Sequence, residues 1–160
     1  MTISVGDKIP ETTLYVMGEE GPEAKTTTEM LAGKKVALFG LPGAFTPTCS
    51  AKHVPGFVEN AEALAGKGIE KIICVSVNDV FVMDAWGKDQ GAGDTVVMAS
   101  DGSADLAKAM GLEFDLSGRG FGVRCKRFAM VVNDGTVESL DLEDDGGYEV
   151  TSAQHMLANL

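Results

Sequence analysis

Two nearly continuous apolar runs, Val36-Ala37-Leu38-Phe39 and Ile72-Ile73-Cys74-Val75, constrain the fold of this chain more than any other feature. A run without polar alternation suits a strand covered on both faces, as in a parallel sheet. Lys35–Gly40 therefore reads as a buried central strand and Ile69–Val77 as a second, parallel one. Between them, Val54, Phe57, Val58, Ala61, Leu64 and Ala65 recur at the spacing of one helix face. This predicts a helix from Ser50 to about Ala65, ended by Gly66 and Gly68. Pro55 conflicts with it, because a proline there removes the hydrogen bond to the Ala51 carbonyl and should kink the axis.

The remaining segments extend this alternation. An extended piece lies around Thr12–Val16, with turn signals at Gly6-Asp7, Gly18 and Gly21-Pro22, and a helical turn starts after Thr27 or Thr28 and stops at Gly33. Asn78-Asp79 caps a helix running from Val80 to Trp86, before Gly87. Thr95–Ala99 is the next strand, and Ser103–Met110 a short helix capped by Ser103 or Asp101 and ended by Gly111. Lys126–Val132 and Val137–Leu140 flank the hairpin signal Asn133-Asp134-Gly135, and Ser152–Leu160 closes the chain as a helix. The order is layered α/β: a central mixed sheet with helices on both faces and a terminal hairpin as its antiparallel part, which is what thioredoxin-like folds look like. At 160 residues, 44% hydrophobic and 23% charged, the chain fits one compact domain over residues 1–160.

Charge narrows the partners. A formal net charge of −11, from 24 acidic and 13 basic residues, disfavours a nucleic-acid backbone or an anionic membrane. Yet from Leu116 to Asn133 there is no acid, while Arg119, Arg124, Lys126 and Arg127 form a positive island or a solvated strand edge. No apolar run approaches the roughly 18 residues that span a bilayer, and no export signal is apparent, so a cytoplasmic protein is the expectation. Three cysteines, Cys49, Cys74 and Cys125, are too sparse for a disulfide scaffold and fit a reducing compartment. None has a second cysteine two to four residues away, and His53 and His155 are far apart, which argues against a structural zinc site. Neither glycine-rich nucleotide motif occurs in its required context, so no nucleotide cofactor is expected. Asp141, Glu143, Asp144 and Asp145 lack calcium-loop order and read as a solvated turn.

Chemistry concentrates at Cys49, within Leu41-Pro42-Gly43-Ala44-Phe45-Thr46-Pro47-Thr48-Cys49-Ser50, where a strand gives way to a helix. Unpaired N–H groups and the positive dipole end of a first helical turn favour a thiolate. The alternative is a small apolar filler. Cys49, His53 and Phe57 share one helical direction, and His53 is either a second polar neighbour of the sulfur or, as the preferred reading, a solvent-facing residue. Thr46 offers a hydroxyl to the sulfur or a helix cap, and Pro42 narrows the mouth. Arg124, ahead of the strand Arg127–Val132, is either a cationic partner delivered to the active end of the sheet or a surface arginine. Cys74 reads as core, and strand alternation points Cys125 away from Arg124.

Pro42, Thr46 and Cys49 stand in a P-x-x-x-T-x-x-C arrangement that resembles the peroxiredoxin signature. With Lys52-His53-Val54-Pro55, the segment is similar to the type II or peroxiredoxin-5-like branch. The resemblance continues through Val75-Ser76-Val77-Asn78-Asp79, Phe81-Val82-Met83, Ala85-Trp86, Gly122-Val123-Arg124 and Lys126-Arg127-Phe128. It implies a thiol peroxidase of hydrogen peroxide and alkyl hydroperoxides, with Cys49 as peroxidatic cysteine, Thr46 as its hydroxyl partner, Pro42 as shield and Arg124 as activating arginine, and with no metal or flavin cofactor. It also implies a homodimer formed near the active-site loops, with Trp86 and Phe45 as contributors. Some relatives carry a second cysteine near the C-terminus, but Gly146–Ser152 has none; Cys74 resembles the second cysteine of plant-type relatives, and Cys125 stands where serine is common. The implied cycle therefore uses one active cysteine, reduced by glutathione with glutaredoxin or by thioredoxin, and cations near Arg124 and Lys126 would suit the carboxylates of glutathione. A reading of a different class is a redox-sensing interaction or chaperone-like protein switched by Cys49 oxidation. A disulfide reductase is disfavoured by the missing C-x-x-C pair.

Overall fold

The computed structural model describes residues 1–144 and 147–160; Asp145 of the acidic turn and Gly146 of the cysteine-free stretch lie outside the described residues. The chain opens with a hairpin, β1 (Thr13–Gly18) and β2 (Gly21–Thr26). Only β1 is legible in the sequence, because β2 is a largely exposed edge whose Glu23 and Lys25 leave no apolar alternation. Helix α1 (Thr27–Leu31) follows, its first turn closed by Glu29 N–H donating to Thr26 Oγ1 at 3.1 Å.

Both apolar runs are central strands. β3 (Lys35–Leu41) leads into residues 47–48, already helical, then a π-helical turn (Cys49–His53), α2 (Val54–Glu59) and α3 (Ala61–Gly66). β4 (Lys71–Ser76) then pairs with β3 in parallel. The single kinked helix expected over 50–65 is thus three pieces, for a local reason. Val54 N–H bonds to the Cys49 carbonyl, five residues back, so the register is offset before Pro55. Pro55 stands directly after that offset, as the second residue of α2. The sharper break is at Asn60, with φ −100° and ψ 10°, whose side chain donates to the Gly56 carbonyl at 2.7 Å.

Helix α4 (Val80–Asp89) is capped by Asp79, which accepts from Val82 N–H at 2.9 Å, and it runs through Gly87. Gly87 is there for close packing: a Cβ would sit 2.8 Å from Met98 Cγ. β5 (Val97–Ser100), α5 (Asp105–Ala109), β6 (Glu113–Asp115), β7 (Val123–Cys125), β8 (Phe128–Asn133), β9 (Thr136–Leu142) and α6 (Ala153–Ala158) complete the order. The Asp101 carboxylate, rather than Ser103, accepts from the first-turn N–H groups of Leu106 (3.0 Å) and Ala107 (2.9 Å). The β8–β9 turn holds Asp134 and Gly135 at positive φ, +49° and +82°, as a tight hairpin requires.

Seven strands form one mixed sheet in the order β2-β1-β5-β4-β3-β8-β9, while β6 and β7 pair separately. β3, β4 and β5 are parallel, and β8 is antiparallel to β3. This is the expected thioredoxin-like α/β architecture. Alternation along β3 divides the core: Val36 and Leu38 join one cluster with Ile73, Met130 and Leu106, whereas Ala37, Phe39 and Leu41 join another with Cys74, Phe57, Trp86 and Cys49. Phe39 and Phe57 stack at 4.1 Å, each buried side chain contributing roughly 1.5–3 kcal/mol by desolvation. That face is the floor on which Cys49 rests.

Candidate active site

β3 ends at Leu41, and the loop after it is pinned to the neighbouring strand end. Ala44 N–H donates to Asn78 Oδ1 at 3.0 Å, and Ser76 Oγ, at the end of β4, donates to the same atom at 2.7 Å. Phe45 adopts φ +62°, a left-handed conformation unusual for a bulky residue, and its ring is 53% exposed. Ser50 N–H donates to the Thr46 carbonyl at 3.0 Å, so the helical path begins at Pro47, three residues earlier than the periodicity predicts. Proline suits that first position because its φ is already helical. Cys49 consequently lies inside the first turn, fully buried.

One arginine reaches the sulfur. Arg127 Nη2 donates to Cys49 Sγ at 3.2 Å, and Arg127 Nη1 lies 2.8 Å from His53 Nδ1. A guanidinium can only donate, so His53 Nδ1 must accept, which places the imidazole proton on Nε2, 3.0 Å from the Thr151 carbonyl. His53 is fully buried; that burial, reinforced by the Arg127 charge, holds its pKa at about 3, so the ring stays neutral. Thr151 is anchored in turn, its N–H and Oγ1 donating to Glu143 Oε2 at 3.0 and 2.8 Å. Burial works to raise the Glu143 pKa, but these bonds and one from Glu149 N–H prevail and hold it below the usual range. Tyr148 covers the arrangement, its ring centroid 5.4 Å from that of His53 and 5.9 Å from Arg127 Cζ.

Arg124, expected to partner the sulfur, does not fill that place. It sits in β7, where its Nε donates to the Phe121 carbonyl at 2.9 Å and its Nη1 to the Pro42 carbonyl at 3.3 Å. The reason is topological: β7 belongs to the small separate sheet, whereas Arg127 immediately precedes β8, whose Phe128 pairs with Gly40 beside the start of the Cys49 loop. The apolar run beginning at Phe128 carried that signal, since the flanking residue of a strand antiparallel to β3 emerges where β3 ends. His53 likewise departs from its solvent-facing reading: it is fully buried on the side of Cys49 and Phe57, where Arg127 and the Thr151 carbonyl satisfy both ring nitrogens.

Pro42 and Thr46 come together at one opening, but the Thr46 hydroxyl turns to neither the sulfur nor a helix N–H among the described residues. Both line a cleft of about 310 Å³ together with Thr48, Arg119, Arg124 and Arg127. Thr46 Oγ1 donates to the Gly43 carbonyl at 2.6 Å, which commits its proton and leaves its oxygen as an acceptor. Trp86 is not a surface contributor: it is fully buried, and its Nε1 donates to Ser50 Oγ at 3.0 Å. Cys74 is fully buried in the same core cluster as Cys49; burial, then the neighbouring Cys49 and Cys125, push its pKa far up. Cys125 belongs to the other cluster, and burial, with Asp101 and Glu113, raises its pKa strongly. Lys126 does not line the cleft; Arg119 does.

With this geometry established, the relatives are informative. The redoxin family pattern matches residues 4–157. The chain is 50% identical over 164 residues to Peroxiredoxin-2E-2, chloroplastic, of Oryza sativa subsp. japonica, covering 99% of this chain and 73% of the rice protein. Among solved structures, reduced Prx3 in complex with H2O2 from Vibrio vulnificus superposes with a TM-score of 0.95 at 44% identity, over 99% of both chains. A Burkholderia cenocepacia protein, described provisionally as a thioredoxin reductase, superposes with a TM-score of 0.97 at 50% identity, over 100% of this chain and 99% of that one.

Proposed function

The chain belongs to the peroxiredoxin family, in its type II or peroxiredoxin-5-like branch, and is a thiol-dependent peroxidase; from that premise we propose that Cys49 is its peroxidatic cysteine. The observation that carries this is the Arg127 guanidinium at 3.2 Å from Sγ, a fixed positive donor that favours a thiolate. In the proposed step, the Cys49 thiolate attacks the hydroxyl-bearing oxygen of the peroxide. An S–O bond forms as the O–O bond breaks, two electrons pass from sulfur to the peroxide, and the leaving oxygen takes a proton to depart as water or alcohol. Cys49 becomes a sulfenic acid.

The surrounding groups have distinct tasks in this reading. Thr46 Oγ1, its own proton held by Gly43, accepts from the peroxide O–H and orients it. Arg127 donates toward the oxygens as charge moves onto the leaving one. His53 is a positioning residue, since it touches Arg127 and not the sulfur. Pro42 and Arg124, tied through the Pro42 carbonyl, shape the mouth and limit water.

Reduction of the sulfenic acid is assigned to an external thiol, glutathione with glutaredoxin first and thioredoxin second. Support comes from burial: Cys74 and Cys125 are both core residues, and Cys125 packs in the cluster that does not hold Cys49. One thiol attacks the Cys49 sulfur, an S–S bond forms and water leaves; a second thiol then attacks that disulfide and releases Cys49 reduced. Because Sγ is fully buried and Cys49 is not among the residues lining the cleft, a bulky thiol requires the turn Cys49–His53 to open, and a small peroxide requires a lesser shift of the same segment. A homodimer through the face carrying the half-exposed Phe45, in a reducing cytoplasmic setting, completes the proposal.

Stopped-flow reaction with hydrogen peroxide, followed through Trp86 fluorescence, tests the assignment. Trp86 bonds to Ser50, adjacent to Cys49, and reports on that turn. Cys49→Ser should abolish the fast phase, and a fast phase retained in that variant would refute the assignment.

A further inference from the structure

Three guanidinium groups, those of Arg119, Arg124 and Arg127, line a cleft beside the Cys49 turn in a protein of net charge −11. Among the described residues none of the three has a carboxylate within 4.0 Å. Their states differ. Arg127 is committed to Cys49 and His53. Arg124 spends Nε and Nη1 on two backbone carbonyls, which aim the guanidinium without neutralising it, and its Nη2 has no acceptor among the described residues. The Arg119 side chain, on the 3-10 turn Ser117–Arg119, is exposed and likewise has no acceptor among the described residues. Asp115, the nearest acid in sequence, does not line the cleft; its Oδ1 accepts from Ser117 N–H at 2.9 Å. The same cleft has an apolar part, Phe114, Leu116 and Phe121, with Phe121 49% exposed and its ring 5.7 Å from Arg124 Cζ.

Hydrogen peroxide, small and neutral, has no use for an apolar wall or for two cations that do not touch the sulfur. We infer that Arg119 and Arg124, with the Phe121 ring against Arg124, form a carboxylate subsite at the mouth of the cleft beside Cys49. It holds the anionic end of an organic reactant whose other end reacts at the sulfur. The bidentate fit of guanidinium to carboxylate and the desolvating aromatic wall supply the recognition. The inference rests on the assignment of Cys49 proposed above. The same chemistry can be presented by a hydroperoxide bearing a carboxylate in the oxidative half-reaction or by a thiol bearing one in the reductive half-reaction.

Paired probes separate the two sources. In the oxidative arm, rates are measured with cumene hydroperoxide carrying a para-carboxylate and with its methyl ester; in the reductive arm, pre-oxidised protein is reduced with glutathione and with its diethyl ester. The acid-to-ester rate ratio cancels any change in the reactivity of Cys49 itself. The wild type is expected to favour the acid about fivefold at low salt in at least one arm, the scale of one partly exposed charge pair. That preference should shrink toward unity in 0.5 M salt, where the screening length is only about 4 Å. It should also vanish in Arg119→Ala combined with Arg124→Gln. Preference in the first arm identifies the hydroperoxide as the source, and preference in the second identifies the thiol. Equal rates for acid and ester in both arms, or a preference that survives the double substitution, overturn the subsite while hydrogen peroxide is still consumed through Cys49. Failure of the wild type to react with hydrogen peroxide at Cys49 instead overturns the assignment on which the subsite rests.

Discussion

Replacing His53 should separate its electrostatic task from simple packing. The ring is fully buried, accepts from Arg127 Nη1 at 2.8 Å and donates to the Thr151 carbonyl at 3.0 Å. His53→Leu strands both groups, at about 1–3 kcal/mol each. With one anchor gone, Arg127 loses its aim on Cys49, and the peroxide rate should fall roughly tenfold, equivalent to about 1.4 kcal/mol. His53→Gln retains one acceptor and one donor and should recover much of that rate, yet it cannot titrate. The pH dependence of stability then becomes decisive. The folded pKa is about 3, depressed from the ordinary 6.5, so between these values the unfolded chain binds a proton that the folded chain does not. Stability from this group is therefore present above pH 6.5 and is lost as pH falls, by about 2 kcal/mol between pH 6.5 and pH 5. Urea unfolding at pH 7 and pH 5 measures it, the wild type losing about 2 kcal/mol more than His53→Gln or His53→Leu over that span. Equal losses in all three proteins would refute a neutral, buried His53.

Other substitutions probe neighbouring links. Arg127→Gln removes the charged donor at 3.2 Å from Sγ and should slow the peroxide reaction roughly 10- to 100-fold, from about 1.5–3 kcal/mol, with Arg124→Gln the milder change; stopped-flow rates that rank the two the other way would restore Arg124 as the activating residue. Cys74→Ala and Cys125→Ala should each keep glutathione-supported turnover, and mass analysis after peroxide and glutathione should place the mixed disulfide on Cys49; loss of turnover in either variant would identify an internal resolving cysteine. Gly40→Ala drives a Cβ into the Phe128 ring and should cost about 1–3 kcal/mol in urea unfolding, because the ring sits in a core that cannot give way.

Which features were legible in the sequence follows the reach of the forces involved. The central strands, the cap at Asp79 and the Asn133-Asp134-Gly135 turn announced themselves, since burial on both faces, an N-cap hydrogen bond and a positive φ act within a few residues. β2 was silent because an exposed edge strand needs no apolar residues, and β7 because three residues are too few to show a period. At the site, Pro42, Thr46 and Cys49 lie within one short segment, so their proximity was a property of the local chain. Arg124 and Arg127 were indistinguishable as cations on one stretch, and the register Gly40–Phe128 chose between them. His53 was misread because its polarity was weighed above its four-residue spacing from Phe57; the partners that make its burial tolerable, Arg127 and the Thr151 carbonyl, lie 74 and 98 positions away. The sequence by itself determined the layered α/β order and singled out Cys49 as the candidate thiol, through short-range patterning and local chain geometry. Only the tertiary structure decided which arginine touches the sulfur, because that contact joins residues 78 positions apart and exists only once β8 has paired with β3.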